Sequence, residues 1–303
     1  MRLKVATLLI GLSLFVAPQA LAQGLPSFDL ERFRLDPSAG SSLVIGNGEV
    51  GKAGTSRATL SIGYEHNPLV LLTDGTVRGR GVGQTNDKVG AVVDARYTAT
   101  VGLSVALFDG FELFLRAPYV AWQHGDNLVA SGVSKPQNNG AATPSAGLRL
   151  GVVNQADGAP ISIAVAAEVA PSWGSDQTLA TNGGFSWSPR VEVGRRFASF
   201  AVAAQGFGLF REAGVPLYKG DIAGNEYGGG VALSTLGKTR AEVSYRFAVN
   251  ENKISFSGEA LAGVRYGTGP VEIFALAGPG FGAAPGTPTW RGLVGVALVG
   301  TPK

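Results

Sequence analysis

The sequence predicts an all-β fold: a transmembrane antiparallel β-barrel of about twelve strands with short periplasmic turns and longer external loops. Three observations predict it. Side chains alternate apolar and polar with a period of two, connections alternate short and long, and aromatic residues gather at both ends of the alternating segments. The chain has 303 residues, with 45 glycines, 16 prolines and no cysteine, and 45% of it is hydrophobic. That much apolar surface argues against disorder. The lack of cysteine excludes a disulfide scaffold, a thiolate zinc site and a lipid-modified cysteine anchor.

Residues 1–22 read as an export signal. Arg2 and Lys4 precede an apolar stretch over 5–16, and Ala20-Leu21-Ala22 offers the small-x-small pattern of a cleavage site before Gln23. The apolar core is short and is followed by Pro18, unlike a membrane anchor. No later run of 18 apolar residues occurs, so a helical membrane protein is excluded. The formal charge of +3 loses Arg2 and Lys4 with the signal and becomes nearly neutral, which gives no support to nucleic-acid binding. Residues 23–57 form an extended segment, placed either in the periplasm or as a plug in the lumen, and 58–303 form the barrel.

Strand side chains point alternately to opposite faces. Over 60–65, Leu60, Ile62 and Tyr64 oppose Ser61, Gly63 and Glu65. The longest run is 93–107, where Val93, Tyr97, Val101 and Leu107 share one face and Asp94, Arg96 and Thr98 the other. Phe111, Leu113, Leu115 and Tyr119 oppose Glu112, Phe114 and Arg116. Alternation is clear again over 161–169 and 242–249, and weaker over 148–152, 187–197, 200–207, 227–236, 256–266, 271–277 and 290–299. Together these make twelve strands.

Tight links fall at 108–110, 154–160, 198–199, 237–238 and 267–270. Long polar ones fall at 67–90, 123–145, 172–186 and 209–226, and two of intermediate length at 250–253 and 279–289. A transmembrane barrel has this asymmetry. It must also close, because an open sheet edge in hydrocarbon leaves backbone groups unsatisfied. An even strand count puts both ends of the barrel on the periplasmic side. Phe108, Phe111, Phe197, Phe200 and Tyr266 fall beside the tight links, and Tyr64, Tyr119, Trp122, Trp173 and Phe207 at the opposite ends, as two interfacial girdles. A secreted β-sandwich shares the alternation but has no reason for the loop asymmetry.

If the apolar face meets lipid, the lumen is lined by nearly balanced charges: Asp94, Glu112, Glu168, Glu192, Glu242, Glu259 and Glu272 against Arg96, Arg116, Arg149, Arg190, Arg196, Arg246, Arg265 and Arg291. Such residues either brace the wall as ion pairs or line a water-filled path. The many inward Gly, Ala and Ser residues leave space and favour a narrow wet channel. Arg195, on the lipid face, is close enough to a tight link to snorkel.

No catalytic, cofactor or metal site is assigned. The string Gly46-Asn47-Gly48-Glu49-Val50-Gly51-Lys52-Ala53 approaches a phosphate-binding loop. Yet Ala53 replaces the hydroxyl that holds magnesium and no helix follows, so it reads as a glycine turn. His66 and His124 stand at the starts of expected external loops, with no G-x-S-x-G elbow and no H-E-x-x-H spacing, and read as solvated.

The strings Phe28-Asp29-Leu30-Glu31-Arg32-Phe33, Ile62-Gly63-Tyr64-Glu65-His66-Asn67-Pro68, the hairpin over 107–118, Gly278-Pro279-Gly280-Phe281 and Gly286-Thr287-Pro288-Thr289-Trp290-Arg291 resemble the N-terminal barrel region of myxobacterial outer-membrane protein A family proteins. The resemblance implies an envelope barrel. The peptidoglycan-binding domain common in that family has no counterpart in the sequence, so wall anchoring is not carried over. The expected function is a narrow passive pore for small solutes; the alternative is a non-conducting structural or interaction barrel. Expected partners are outer-membrane lipids, lipopolysaccharide and the barrel assembly machinery, with the oligomeric state open.

Overall fold

The two-residue alternation becomes twelve long strands in the computed structural model, which describes residues 28–84, 87–212, 215–216, 222–251 and 256–301. The expected signal lies outside the described residues. The strands are β1 (Ser56–Leu72), β2 (Lys88–Phe108), β3 (Phe111–His124), β4 (Ser145–Val153), β5 (Ser162–Ala170), β6 (Ser186–Arg196), β7 (Phe200–Arg211), β8 (Glu226–Thr235), β9 (Thr239–Asn250), β10 (Phe256–Thr268), β11 (Val271–Gly282) and β12 (Trp290–Gly300). Each pairs antiparallel with the next, and β12 pairs back onto β1 from Ser56↔Gly300 to His66↔Trp290. The sheet therefore has no open edge, which is what a lipid surround demands. Among the described residues, no helix is long and apolar enough to cross a membrane.

The outward face is apolar, with Leu60, Val231, Val264 and Leu298 each more than half exposed. Aromatic rings edge it at both rims. Phe197 stacks on Phe200 at 4.5 Å at the short-turn rim, while Tyr64, Tyr97 and Trp122 form a chain with centroid spacings of 5.0 and 5.8 Å near the long-loop rim. Trp187, Phe210 and Tyr227 extend that upper girdle, although the sequence drew no attention to them. Phe207 does not belong to it: the ring faces the lumen beneath Arg246, 4.7 Å from the guanidinium.

β1 and β2 run farther than the alternation suggests. Their pairing slips between His66 and Leu69, where Asn67 adopts a left-handed φ of 51°. Beyond the slip, Leu69, Leu71, Val92 and Val93 pack with Phe28, Leu128 and Leu179. Val93, expected against lipid, is 1% exposed, because the loop carrying Leu128 folds over this extension. His66 and His124 lie within strands rather than in loops. His66 sits 2.9 Å from the Asn67 amide, and His124 stacks on Trp122.

The core of the molecule is the lumen itself, and residues 28–55 fill it. Leu30 donates its N–H to Leu179 O (3.1 Å) in a long loop. At the other end, Ala53 N donates to Asp109 Oδ1 (2.8 Å) in the two-residue turn between β2 and β3. The segment thus descends from the long-loop rim to the short-turn rim before turning up into β1. Phe33, Leu43, Val44 and Ile45 pack on inward Leu261, Phe274, Leu276 and Leu293 of β10–β12. Alternation is weak in these three strands because their inward face is also partly apolar.

The lumen is consequently not left open by its small residues. A Cβ on inward Gly147 would stand 2.3 Å from the Phe114 ring, one on Gly263 2.2 Å from Leu276, and one on Gly295 2.4 Å from Phe274. Absent side chains make room for bulky neighbours and for the segment: Gly230 faces Ile45 and Gly194 faces Asn47 in the same way.

Candidate functional site

Among the described residues, charged side chains on the inward positions of adjacent strands meet in five centres, and each centre but one takes a member from the lumenal segment. Glu112 and Arg149 are direct cross-strand partners. Arg149 also binds Asp36 of the segment, and its Nε lies 3.0 Å from Glu192 Oε2. Arg291 stands opposite Glu65. It reaches Glu65 at 2.6 Å, Glu259 at 2.8 Å and Glu31 of the segment at 3.1 Å. Glu168 gathers Arg34 of the segment at 2.9 Å, Arg116 at 3.3 Å and Arg190 at 3.8 Å.

Two smaller centres complete the set. Glu226 takes Arg32 through both oxygens at 2.8 and 3.0 Å, with Arg211 at 2.8 Å. Glu272 takes Arg57 at 2.6 Å and Arg265 at 3.7 Å. Arg265 also donates to the Ala39 and Ser41 carbonyls at 2.6 and 2.5 Å. Glu242 receives Ser42 Oγ at 2.6 Å and Leu43 N at 2.7 Å. Buried charges need such partners, because desolvation of an unpaired one costs several kcal/mol.

Most charges read as lumenal from the sequence are thus brought together; Glu242 and Arg246 bind the lumenal segment through Ser42, Leu43 N and the Arg32 carbonyl rather than joining a centre, and three others depart from the network. Arg96 is fully buried and braces a loop, donating to the Thr178 and Leu179 carbonyls at 3.2 Å each. Arg196 is half-exposed at the short-turn rim, where it pairs with Glu49. Asp94 is not in the lumen network; it lies near the outward-facing Tyr64, where the strand pairing begins to slip. Sequence reasoning missed Arg57, Glu65, Arg211 and Glu226. All four share the inward phase of their strands: Glu65 already stood on the polar face of the first alternating segment without being counted among the lumenal charges, and extending the other strands by a few residues would have found Arg57, Arg211 and Glu226. Arg195 lies 4.9 Å over the Phe197 ring at the rim, in the place expected for a snorkelling side chain.

The glycine string 46–53 is a turn of the lumenal segment. Gly48 has a φ of 71°, and Gly46 rests against the Glu192 carboxylate, a surrounding that repels phosphate. Among the described residues, no group of acidic and histidine side chains is placed to hold a metal ion.

Between the segment and strands β5–β10 lies a cleft of ≈ 60 Å³, lined by Asp29, Arg34, Glu168, Arg190, Phe207 and Arg246 among others. This is room for several water molecules. At its upper end Asp29 N meets Asn182 Oδ1 at 3.4 Å, and burial raises the Asp29 carboxyl above its ordinary pKa against the pull of Arg96. At its lower end Gly46 N binds Gln205 Oε1 at 3.0 Å and narrows the passage.

No protein family model matches the chain, and no curated protein is similar to it. Solved structures are. An outer membrane channel from Pseudomonas putida F1 superposes with a TM-score of 0.63 at 10% identity, over 84% of this chain and 98% of that one. The chain has an outer-membrane β-barrel fold. The NanC porin superposes with a TM-score of 0.51 at 8% identity, over 80% of this chain and 98% of the porin. At such identities the likeness concerns the outer-membrane barrel architecture alone.

Proposed function

We propose that this barrel is a narrow passive channel for small solutes in the outer membrane of a Gram-negative bacterium, with its path along the cleft beside the lumenal segment. The observation that carries the reading is the cleft itself: a water-sized, charge-lined space inside a closed wall with an apolar exterior. A structure built only to fill the lumen has no need of it. The fold shared with outer membrane channels supports the same reading. Export by the signal at 1–22, insertion by the barrel assembly machinery, and contact with lipids and lipopolysaccharide belong to this proposal, and the chemistry is permeation rather than catalysis.

A second reading, a non-conducting structural or interaction barrel, is favoured by one observation. Four of the five charge centres bind the lumenal segment in place. The resemblance to the barrel region of the myxobacterial family agrees with it. Planar-bilayer recording of the refolded full-length protein separates the two. Stable single-channel steps altered by Arg246→Glu support the channel, whereas a folded, heat-modifiable barrel that stays silent supports the scaffold.

A further inference from the structure

We infer that the short-turn rim of β6–β9 binds an anionic glycerophospholipid, with its phosphate between Arg195 and Lys238 and one acyl chain in a groove of the outer wall beside Phe200. The inference rests on the outer-membrane placement proposed above, with the short turns on the periplasmic side, and it names one lipid contact of that barrel.

The groove lies on the lipid face. It measures ≈ 350 Å³, and Phe200, Leu233, Thr235, Ala241 and Val243 supply its outward lining. Ala241, the smallest of the five, gives it depth. Thr235 stands directly across from Phe200. Its hydroxyl accepts the Ala241 N–H at 2.8 Å, which ties the polar atom to the wall and leaves the methyl group to the groove. A recess surrounded by hydrocarbon excludes water, and left empty it would forfeit the dispersion contacts of its lining. A flexible acyl chain fills it. Continuity with the lipid-facing wall thus identifies the tail of the occupant.

Charge identifies the head. Arg195 and Lys238 are both exposed, and among the described residues neither has a carboxylate partner. The Arg195 guanidinium lies 4.9 Å over the Phe197 ring, which stacks on Phe200 at 4.5 Å. Leu236 N donates to Ser199 O at 3.0 Å, tying the β8–β9 turn that carries Lys238 to the β6–β7 turn next to Arg195. The two cations therefore flank the Phe200 end of the groove. Other charges of this rim are turned inward: Arg196 takes Glu49 of the segment, Arg240 donates to the Gly40 carbonyl at 3.0 Å, and Glu242 receives Ser42 Oγ. Asp157, exposed on the β4–β5 turn, is one acid against the two outward cations. The surplus of one positive charge matches the single negative charge of a phosphatidylglycerol headgroup, which basic side chains at a membrane surface attract.

The test refolds the full-length protein into micelles holding equal amounts of phosphatidylglycerol and phosphatidylcholine with the same acyl chains, and counts retained lipid by native mass spectrometry. Phosphatidylglycerol should be retained in preference. Arg195→Gln and Lys238→Gln should each lower that preference roughly fivefold. Ala241→Leu, which fills the groove, should lower retention of both lipids, and Lys135→Gln on a long loop should match wild type. Heat-modifiable migration verifies folding of each variant. Equal retention of the two lipids by wild type, or an undiminished preference in the folded Arg195→Gln/Lys238→Gln double variant, overturns the headgroup site. Undiminished retention in Ala241→Leu overturns the groove, and stronger retention of lipid A than of phosphatidylglycerol overturns the choice of leaflet. The underlying reading fails separately: a chain that folds without detergent loses the membrane placement itself, and a barrel silent in bilayers that still selects phosphatidylglycerol loses the channel but keeps the site.

Discussion

Arg149 of β4 holds Asp36 of the lumenal segment in an ion pair whose side chains are 0% and 2% exposed. Glu112 and Glu192 complete the arginine's surroundings. Removing the arginine would leave three buried carboxylates facing one another. Arg149→Ala is therefore expected to destabilise the folded barrel by about 3–5 kcal/mol, the usual cost of orphaning a buried charge. Asp36→Asn leaves two acids on Arg149 and should cost less. Urea midpoints of the two variants in micelles check the order.

Ile45 is fully buried where the segment meets Gly230 of β8. Ile45→Ala removes packing worth about 2–5 kcal/mol, but that loss falls on the docked segment, since the backbone ladder of the wall is untouched. Hydrogen exchange should accelerate over residues 36–50 while amides of β8 and β9 stay protected. Uniform acceleration across the wall would show that the segment and the barrel unfold together.

Gly295 of β12 lies under the Phe274 ring of β11, so a methyl group there has no free volume. Gly295→Ala is expected to cost about 1–3 kcal/mol by overpacking, read as a lower temperature of heat-modifiable migration. Gly292, on the same strand but facing outward with nothing within 4 Å, should accept alanine with little change.

Asp29 has its carboxyl pKa raised by burial at the long-loop rim. The sign follows: a raised acid contributes stability below its unfolded pKa and loses that contribution as pH rises through the folded value. Asp29→Asn should equal wild type at strongly acidic pH and become relatively more stable as pH rises past the ordinary carboxylate range. A stability difference that stays constant from acid to neutral pH would contradict this.

The absence of cysteine makes single-cysteine labelling clean. Val82→Cys, on a long loop, should react with an impermeant maleimide on intact cells. Ala53→Cys, at the short-turn rim, should react only after the outer membrane is permeabilised. The reverse pattern would invert the barrel in the membrane.

How legible was this in the sequence? The wall was legible, because a period of two in Leu60, Ile62, Tyr97 and Val101 has one explanation and the loop lengths select closure. The inward charges at Glu112, Arg149, Glu168 and Arg291 were legible for the same reason. The seating of residues 28–55 was not: Asp36 meets Arg149 across 113 residues of chain, and no local pattern encodes such a contact. The small inward residues misled for a related reason. Gly263 and Gly295 read as empty space when considered one strand at a time, whereas Leu276 and Phe274 on the neighbouring strand occupy it. Asp94 and Val93 escaped their expected faces because the pairing is irregular beside Asn67 and the loop carrying Leu128 covers the strand beyond it.

The segment is indexed against the wall like a key against its wards. Glu31, Arg32, Arg34, Asp36, Ser42 and Glu49 each meet a different wall residue. The segment is bent rather than strand-like, with left-handed backbone at Ala39 and Gly48, so a shift by one position would also move each bend away from the wall residue that fits it. Such a step would set acids toward acids and unmake all these contacts together. Gradual sliding is thereby disfavoured, and the segment is held in a single register by contacts spread from one rim of the barrel to the other.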